Sequence, residues 1–139
     1  FHIKARADGN LEGHQNAIHH ISVSPGGDLV ATGSWDSTIG IWDMETGERR
    51  QVLRGHKAGV YSVVFSPDGR TLASGGEDGT ILLWHLGTGR QIGRLNWDLG
   101  DVLWLEFSPD GESLVARCRD DPQIKFFKAP TLTEIEGEP

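Results

Sequence analysis

The order of apolar and polar residues in the middle of the chain predicts short β-strands rather than helices. Apolar residues come in brief runs, and each run ends at a cluster of glycine, proline, aspartate or serine. These turn sequences are Ser-Pro-Asp-Gly at 66–69, Gly-Gly-Glu-Asp-Gly at 75–79 and Gly-Thr-Gly at 87–89. Turn signals about every ten residues are typical of antiparallel sheets. We therefore predict four strands here, with a β-bulge in the first because the spacing of Val60 and Val63 breaks strict alternation.

The same pattern repeats along the chain with a period of 42 residues. Residues 13–54 and 55–96 are identical at 14 of 42 positions, which include a leading Gly-His, a Ser-Pro turn, an aspartate and a tryptophan. Residues 97–138 share eight positions with 55–96, so the third copy is weaker. Self-similarity at such a period indicates a repeat architecture in which each copy forms one supersecondary unit.

The repeats resemble those of the WD-repeat β-propeller family. The resemblance covers residues 1–136, and the period lies within the ~40–45 residues of that family's four-stranded blade. The residues that carry it are Gly13-His14, Asp36 and Trp42-Asp43 in the first copy, and Gly55-His56, Asp78 and Trp84 in the second.

The resemblance implies an all-β fold of three propeller blades, each of four antiparallel strands, plus one extra outer strand. The implied boundaries are 1–12 for the outer strand of a preceding blade, 13–54 for blade one, 55–96 for blade two and 97–139 for a degenerate blade three.

The resemblance also implies a buried network of four side chains in each of the first two blades. A tryptophan N–H donates to a Ser or Thr hydroxyl, the hydroxyl donates to an imidazole, and a carboxylate fixes the imidazole tautomer, so every polar group has a partner. The implied members are His14, Thr32, Asp36 and Trp42 in blade one, and His56, Ser74, Asp78 and Trp84 in blade two. Ser, His and Asp also occur together in acyl-transfer enzymes. Here the trio recurs once per blade beside a tryptophan and lacks a Gly-x-Ser-x-Gly elbow, so we expect structural networks and no catalytic residue.

The third copy departs from this pattern. Trp97 and Asp98 stand where Gly-His is expected, and Ala116 stands at the Ser/Thr position. The loop after Asp120 is one residue longer, which aligns Phe127 with the tryptophan of the other copies. We expect apolar packing in place of the network, with Asp98 taking the polar position at the loop.

A protein or peptide partner is expected on the rim of the propeller. The family's partner-facing positions lie early in the first strand and directly before the turn aspartate. In this chain these positions hold His19, Trp35, Tyr61, Glu77, Leu103 and Arg119. Trp35 is the most informative, because an apolar ring in a Gly-Ser-Trp-Asp-Ser turn has no evident role in the fold and exposed aromatics are frequent binding anchors. The rival site is an outer-strand edge with Arg49, Arg50 and Arg54, which with Lys57 is more typical of edge-strand protection.

Charge narrows the choice of partner. The net charge is −7, and the last 43 residues hold ten acidic and four basic side chains. Because there is no basic stripe, we expect no nucleic-acid partner. Because the last 43 residues are acidic, we expect a preference for basic segments near the third blade. No apolar run reaches the ~18 residues of a membrane helix, so no membrane partner is expected. The one cysteine, Cys118, excludes an internal disulfide and favours the cytosol.

Two clusters of potential metal ligands lack the pattern of a site. The acidic cluster, which has no compact Asp-x-Asp-x-Asp-Gly loop, consists of Asp98, Asp101, Asp110, Asp120 and Asp121. His14, His19 and His20 are close in sequence, but His14 belongs to a network and the other two point to opposite faces of a strand. We expect no metal and no cofactor.

The expected function is that of a non-catalytic scaffold for protein–protein interaction. The alternative is a regulatory or accessory propeller segment of a larger enzyme whose catalytic domain lies outside this chain, and a weaker one is a hydrolase with an acidic metal site at the channel. Propellers typically have 4–8 blades. Three blades are therefore expected to be part of a longer propeller, or to self-associate through the apolar faces of the end blades. The fold alone does not decide among these functions.

Overall fold

The computed structural model describes residues 9–95 and 100–128. These residues form eleven β-strands and no helix, which confirms the predicted all-β fold. The strands are β1 (Ile18–Val23), β2 (Leu29–Ser34), β3 (Thr38–Asp43), β4 (Arg49–Arg54), β5 (Val60–Phe65), β6 (Thr71–Gly76), β7 (Ile81–His85), β8 (Arg90–Leu95), β9 (Val102–Phe107), β10 (Ser113–Cys118) and β11 (Ile124–Lys128). Within this part of the chain no helix is long and apolar enough to cross a membrane.

The strands form three antiparallel sheets in sequence order. The first sheet is β1-β2-β3-β4, the middle sheet is β5-β6-β7-β8, and the third sheet is β9-β10-β11. The residues expected to complete the third sheet, 129–139, lie outside the described residues, as do residues 1–8 of the expected extra outer strand. Residues 9–12 of that outer strand are described and are not in a strand.

The strand register follows the 42-residue repeat. On the second and third strands of each sheet, Val30 pairs with Trp42, Leu72 with Trp84, and Leu114 with Phe127. The longer loop before β11 therefore places Phe127 at the tryptophan position, as the sequence alignment predicted. The predicted bulge in β5 is also present, as a register shift between Val60 and Ser62.

Adjacent sheets pack face to face through apolar residues. Val60 and Val63 of β5 are fully buried against residues of the first sheet such as Ile39 and Ile41. A side chain on Gly33 would place its Cβ 2.8 Å from Val60 Cγ1, and one on Gly75 would lie 2.5 Å from Val102 Cγ1. Both glycines are required for this close approach of neighbouring sheets.

The equivalent apolar positions are exposed to solvent in the first and third sheets. Ile21 on β1 is 58% exposed, and Phe126 on β11 is 67% exposed. Their counterparts one repeat inward, Val63 and Leu83, are buried between sheets. Two apolar faces are thus accessible in the described part of the chain.

Candidate functional site

The four side chains implied for the first network lie in one hydrogen-bonded chain. Trp42 donates its indole N–H to Thr32 Oγ1 at 2.8 Å. Thr32 Oγ1 lies 2.6 Å from His14 Nε2, and His14 Nδ1 lies 2.9 Å from Asp36 Oδ2. Because the Thr32 hydroxyl accepts from Trp42, it donates its own proton to Nε2, which assigns the Nδ1–H tautomer to His14. The imidazole then donates to the carboxylate.

The second network repeats this geometry in the middle sheet. Trp84 Nε1 donates to Ser74 Oγ at 2.8 Å, Ser74 Oγ lies 2.7 Å from His56 Nε2, and His56 Nδ1 lies 3.0 Å from Asp78 Oδ2. Ser74 and the His56 side chain are fully buried. The Ser74 oxygen has no access to solvent and already accepts one hydrogen bond and donates another. It therefore occupies a structural position and not that of an exposed nucleophile.

Each network ends at a carboxylate in a tight turn. Burial alone would raise the pKa of Asp36, but hydrogen bonds from the Thr38 hydroxyl, the Gln15 backbone N–H and the His14 ring hold it far below the ordinary 3.8. The pKa of Asp78 is lowered in the same way by the equivalent groups of its repeat. Stability that depends on these carboxylates is therefore present above pH 3.8 and is lost as the pH falls below it.

The third sheet holds apolar packing at the position of the hydroxyl. Ala116 is buried in a cluster with Leu105, Leu114 and Cys118. Asp98 lies outside the described residues, so its expected place at the loop stays a prediction. The side chain of Phe127 also lies outside the described part, so its packing in place of the network stays a prediction.

Three of the residues predicted to face a partner form one aromatic patch, defined as His19, Trp35 and Tyr61. The His19 ring centroid lies 4.8 Å from that of Trp35 and 4.9 Å from that of Tyr61. Trp35 and Tyr61 meet edge to face at 5.9 Å. Trp35 remains 44% exposed despite these contacts. The patch therefore joins two repeats and presents an aromatic surface to solvent.

Of the other three predicted residues, Arg119 contacts the patch directly. Arg119 donates from Nε to Asp101 Oδ2 at 2.9 Å, and its guanidinium carbon lies 5.8 Å from the Tyr61 ring centroid. The hydrogen bond to Asp101 also raises the pKa of Arg119. Glu77 is exposed, and its backbone N–H donates to the Gly59 carbonyl at 2.9 Å. Leu103 is half-buried on β9.

Two hydrogen bonds between sheets were not evident from the sequence pattern. The Val63 backbone N–H donates to His20 Nδ1 at 3.0 Å, and the Leu105 backbone N–H donates to Ser62 Oγ at 3.0 Å. His20 and Ser62 occupy the same position of successive repeats, 42 residues apart. Trp104, the third residue in this series, contacts His20 with ring centroids 5.0 Å apart and the ring planes tilted by 55°. The signal available in the sequence was a hydrogen-bond acceptor recurring at one repeat position.

The rival basic edge lies on β4, the terminal strand of the first sheet. Arg49 Nη1 donates to the Gly13 carbonyl at 3.2 Å and lies over the Trp42 ring, and Arg50 pairs with Asp43 at 2.6 Å. Two of the three arginines thus have partners within the chain. As for metal ligands, the described ranges contain no group of three or more His, Cys, Asp or Glu able to hold an ion.

Several proteins contain segments similar to this chain. Over 40 residues it is 48% identical to Eukaryotic translation initiation factor 3 subunit I of Aspergillus niger, a match that covers 29% of this chain and 12% of that protein. The same subunit of Aspergillus oryzae is 50% identical over 40 residues, with the same coverage. Small ribosomal subunit protein RACK1 of Candida albicans is 36% identical over 42 residues, which are 30% of this chain and 13% of that protein. The matched segments are thus a small part of these relatives.

The profile of the WD domain, G-beta repeat, matches residues 7–43 and 47–85. The second range contains β4 together with β5–β7. This one match of the profile therefore spans the outer strand of one sheet and three strands of the next, and so links successive sheets. These two ranges cover more than half of the 139 residues. Together with the repeated sheets, they show that the chain belongs to the WD-repeat family.

Proposed function

We propose that this chain is a non-catalytic scaffold that binds a protein or peptide partner through a rim surface. In this proposal residues 13–54, 55–96 and 97–139 are consecutive blades of one propeller. The rim surface is defined by the six predicted residues, which are His19, Trp35, Tyr61, Glu77, Leu103 and Arg119.

The exposed aromatic patch is the observation that carries the proposal. Trp35 stands in a turn and keeps 44% of its surface exposed, although a tryptophan there is not needed to close the turn. The middle repeat has Glu77 at this position and the third has Arg119, so the turn itself tolerates any of the three. Tryptophan, tyrosine and arginine are the residues that most often dominate binding energy at protein interfaces.

The names of the similar proteins agree with a role in multi-chain assemblies. They describe a subunit of a translation initiation factor and a protein of the small ribosomal subunit. Since segments of this chain match differently named proteins, the similarity does not select among their partners. A cytosolic location is part of this proposal and fits the single buried cysteine.

A non-catalytic role is favoured by how the candidate nucleophile is used. Ser74 is buried and bonded to both Trp84 and His56, so a serine-reactive fluorophosphonate probe is expected to leave the folded chain unlabelled. The acidic net charge favours a protein partner over a nucleic acid.

Substitutions at the two rival surfaces test the proposal. Partners captured from cell extract by the unmodified chain are identified by quantitative mass spectrometry, and their affinities are then measured with purified components. Trp35→Ala is expected to cost about 2 kcal/mol or more, and Trp35→Ala with Tyr61→Ala to abolish capture.

Arg50→Ala serves as the control on the outer edge and is expected to change affinity little. Circular dichroism of every variant establishes that the fold is retained. Capture that survives the double substitution and is lost with Arg50→Ala would assign binding to the β4 edge.

A further inference from the structure

The rim surface already holds one cation in a defined arrangement. The Arg119 guanidinium lies over the face of Tyr61, 5.8 Å from the ring centroid, while the Asp101 carboxylate accepts its hydrogen bond at 2.9 Å. An aromatic face and a carboxylate together stabilise a cation by more than either does alone, because both present negative electrostatic potential. This arrangement uses residues of the second and third repeats.

A second pair of aromatic ring and carboxylate stands beside it. Trp35 and Glu77 both lie close to Gly59. Because glycine has no side chain, the space between the indole ring and the carboxylate is not filled. The position that a Cβ on Gly59 would take lies 3.6 Å from Trp35 Cε3 and 3.6 Å from Glu77 Oε2. Both side chains are exposed. Among the described residues, Glu77 forms no ion pair, whereas Asp101 is paired with Arg119.

We infer that the rim surface takes a lysine or arginine side chain of the partner, with the cationic group between the Trp35 ring and the Glu77 carboxylate. This inference rests on the proposed function and adds the chemistry of the partner to it. The cation contacts the exposed indole face and bonds to Glu77, in the way that Arg119 uses Tyr61 and Asp101. An acidic side chain at the same place meets the Glu77 charge and is excluded, which gives the surface its selectivity.

A random-peptide phage library panned on the full 139-residue chain tests this inference. Selected peptides are synthesised with a fluorescent label, and their dissociation constants are measured by fluorescence polarisation. We expect the selected peptides to share a lysine or arginine. Replacing it by the neutral isosteres acetyl-lysine or citrulline is expected to weaken binding roughly ten-fold. Raising the salt concentration is expected to weaken binding as well, because the pair lies at the surface.

Matched glutamate variants separate a local contact from general charge. Glu77→Gln is expected to weaken binding of the basic peptides roughly ten-fold, whereas Glu112→Gln, at an exposed glutamate in the turn before β10, is expected to have no effect. Glu77→Lys is expected to reverse the selection, so that panning on this variant yields acidic peptides. Chemical-shift changes of the Trp35 indole N–H locate the bound peptide, with Trp35→Phe used to assign the resonance.

The outcomes distinguish this inference from the proposed function. If peptides bind in a manner that requires Trp35 and Tyr61 but are neutral, or are insensitive to Glu77→Gln, the inference is wrong and the rim surface remains the binding site. If binding is unaffected by Trp35→Ala with Tyr61→Ala, or no peptide is selected, both the inference and the proposed function are wrong. Equal losses from Glu77→Gln and Glu112→Gln would also overturn the inference, because they would show an effect of net charge alone.

Discussion

The middle sheet and the first sheet share a sequence template but differ in what surrounds them. Val63 of the middle sheet is fully buried, whereas Ile21, at the same position one repeat earlier, is 58% exposed. Val63 packs on the first sheet, and Ile21 has no sheet on that side among the residues described. Residue type therefore does not decide burial at this position, and the neighbouring sheet does.

The middle and third sheets differ in the chemistry of their interiors. Ser74 connects a tryptophan and a histidine, whereas its counterpart Ala116 packs among apolar side chains. Both solutions leave no buried side-chain polar atom without a partner in the described chain. The template thus tolerates a complete polar network or none, because a partial network leaves unpaired groups in a dry interior.

Introducing a glutamate at equivalent positions of the first two sheets should give the largest difference in stability. Val63→Glu places a carboxylate in a dry interface and is expected to destabilise the fold by about 4 kcal/mol or more. Ile21→Glu is expected to change the free energy of unfolding by less than about 0.5 kcal/mol, and to reduce any self-association of the bare face. Urea unfolding and sedimentation velocity measure the two effects. Similar destabilisation by both substitutions would show that Ile21 is covered in solution.

Removing the central hydroxyl of the middle sheet should be the next largest effect. Ser74→Ala leaves the Trp84 N–H and His56 Nε2 buried without partners, so a loss of about 2–4 kcal/mol is expected in urea unfolding. The equivalent cycle in the first sheet, with Trp42→Phe, Thr32→Val and both together, tests coupling. Strict additivity of the two losses would contradict the network.

Adding the hydroxyl to the third sheet should also destabilise the fold, but by less than Ser74→Ala does. Ala116→Ser buries one hydroxyl among apolar neighbours and is expected to cost about 1–2 kcal/mol. Together with Ser74→Ala it forms a reciprocal pair, in which the same two residue types are exchanged in opposite directions. A stabilising Ala116→Ser would mean that a polar partner is present at this site after all.

His20 and Ser62 each accept a hydrogen bond between sheets, but only His20 titrates. The contact between the first and middle sheets is therefore expected to depend on pH more than the contact between the middle and third sheets. Burial lowers the pKa of His20 below its ordinary 6.5, and protonation of Nδ1 removes the acceptor for the Val63 N–H. Because the folded pKa is the lower one, stability is complete above pH 6.5 and declines as the pH falls below it. The loss is expected to be about 1 kcal/mol, the contribution of one hydrogen bond.

His20→Ser copies the residue used by the middle sheet and supplies the control. Stability of this variant is expected to vary less than that of the unmodified chain between pH 7 and 5, as measured by urea unfolding across the range. The turn carboxylates Asp36 and Asp78 do not interfere, because their effect is confined to lower pH. Identical pH profiles would contradict a titrating contact at this joint.

The smallest expected effect concerns the turn between the second and third strands. Ser37 in the first sheet has φ 72°, and Gly79 at the same position of the middle sheet has φ 73°. Since this left-handed conformation is unfavourable for a residue with a side chain, Ser37→Gly is expected to stabilise the fold by about 0.5–1 kcal/mol. The reverse change, Gly79→Ser, is expected to destabilise it, because its Cβ would also lie 3.2 Å from the Gly100 carbonyl oxygen. Urea midpoints that move the other way would contradict this account of the turn.

The sequence by itself determined the fold class and the strand positions, and its resemblance to WD repeats implied the members of the networks. The turn residues are local signals that end each strand. The 42-residue period aligns Trp42 with Trp84 and Thr32 with Ser74, and this alignment does not depend on how the sheets pack. The alignment of Phe127 at the tryptophan position followed from the same period once a longer loop was allowed for.

Only the tertiary structure decided which residues of different repeats meet. The ring contact of Trp35 with Tyr61 and the hydrogen bond from Val63 to His20 depend on the distance between sheets, which glycines such as Gly33 allow. Exposure at Ile21 likewise depends on the presence of a neighbouring sheet. The period in the sequence determines equivalence between repeats, whereas contact across repeats depends on how closely and at what angle successive sheets pack.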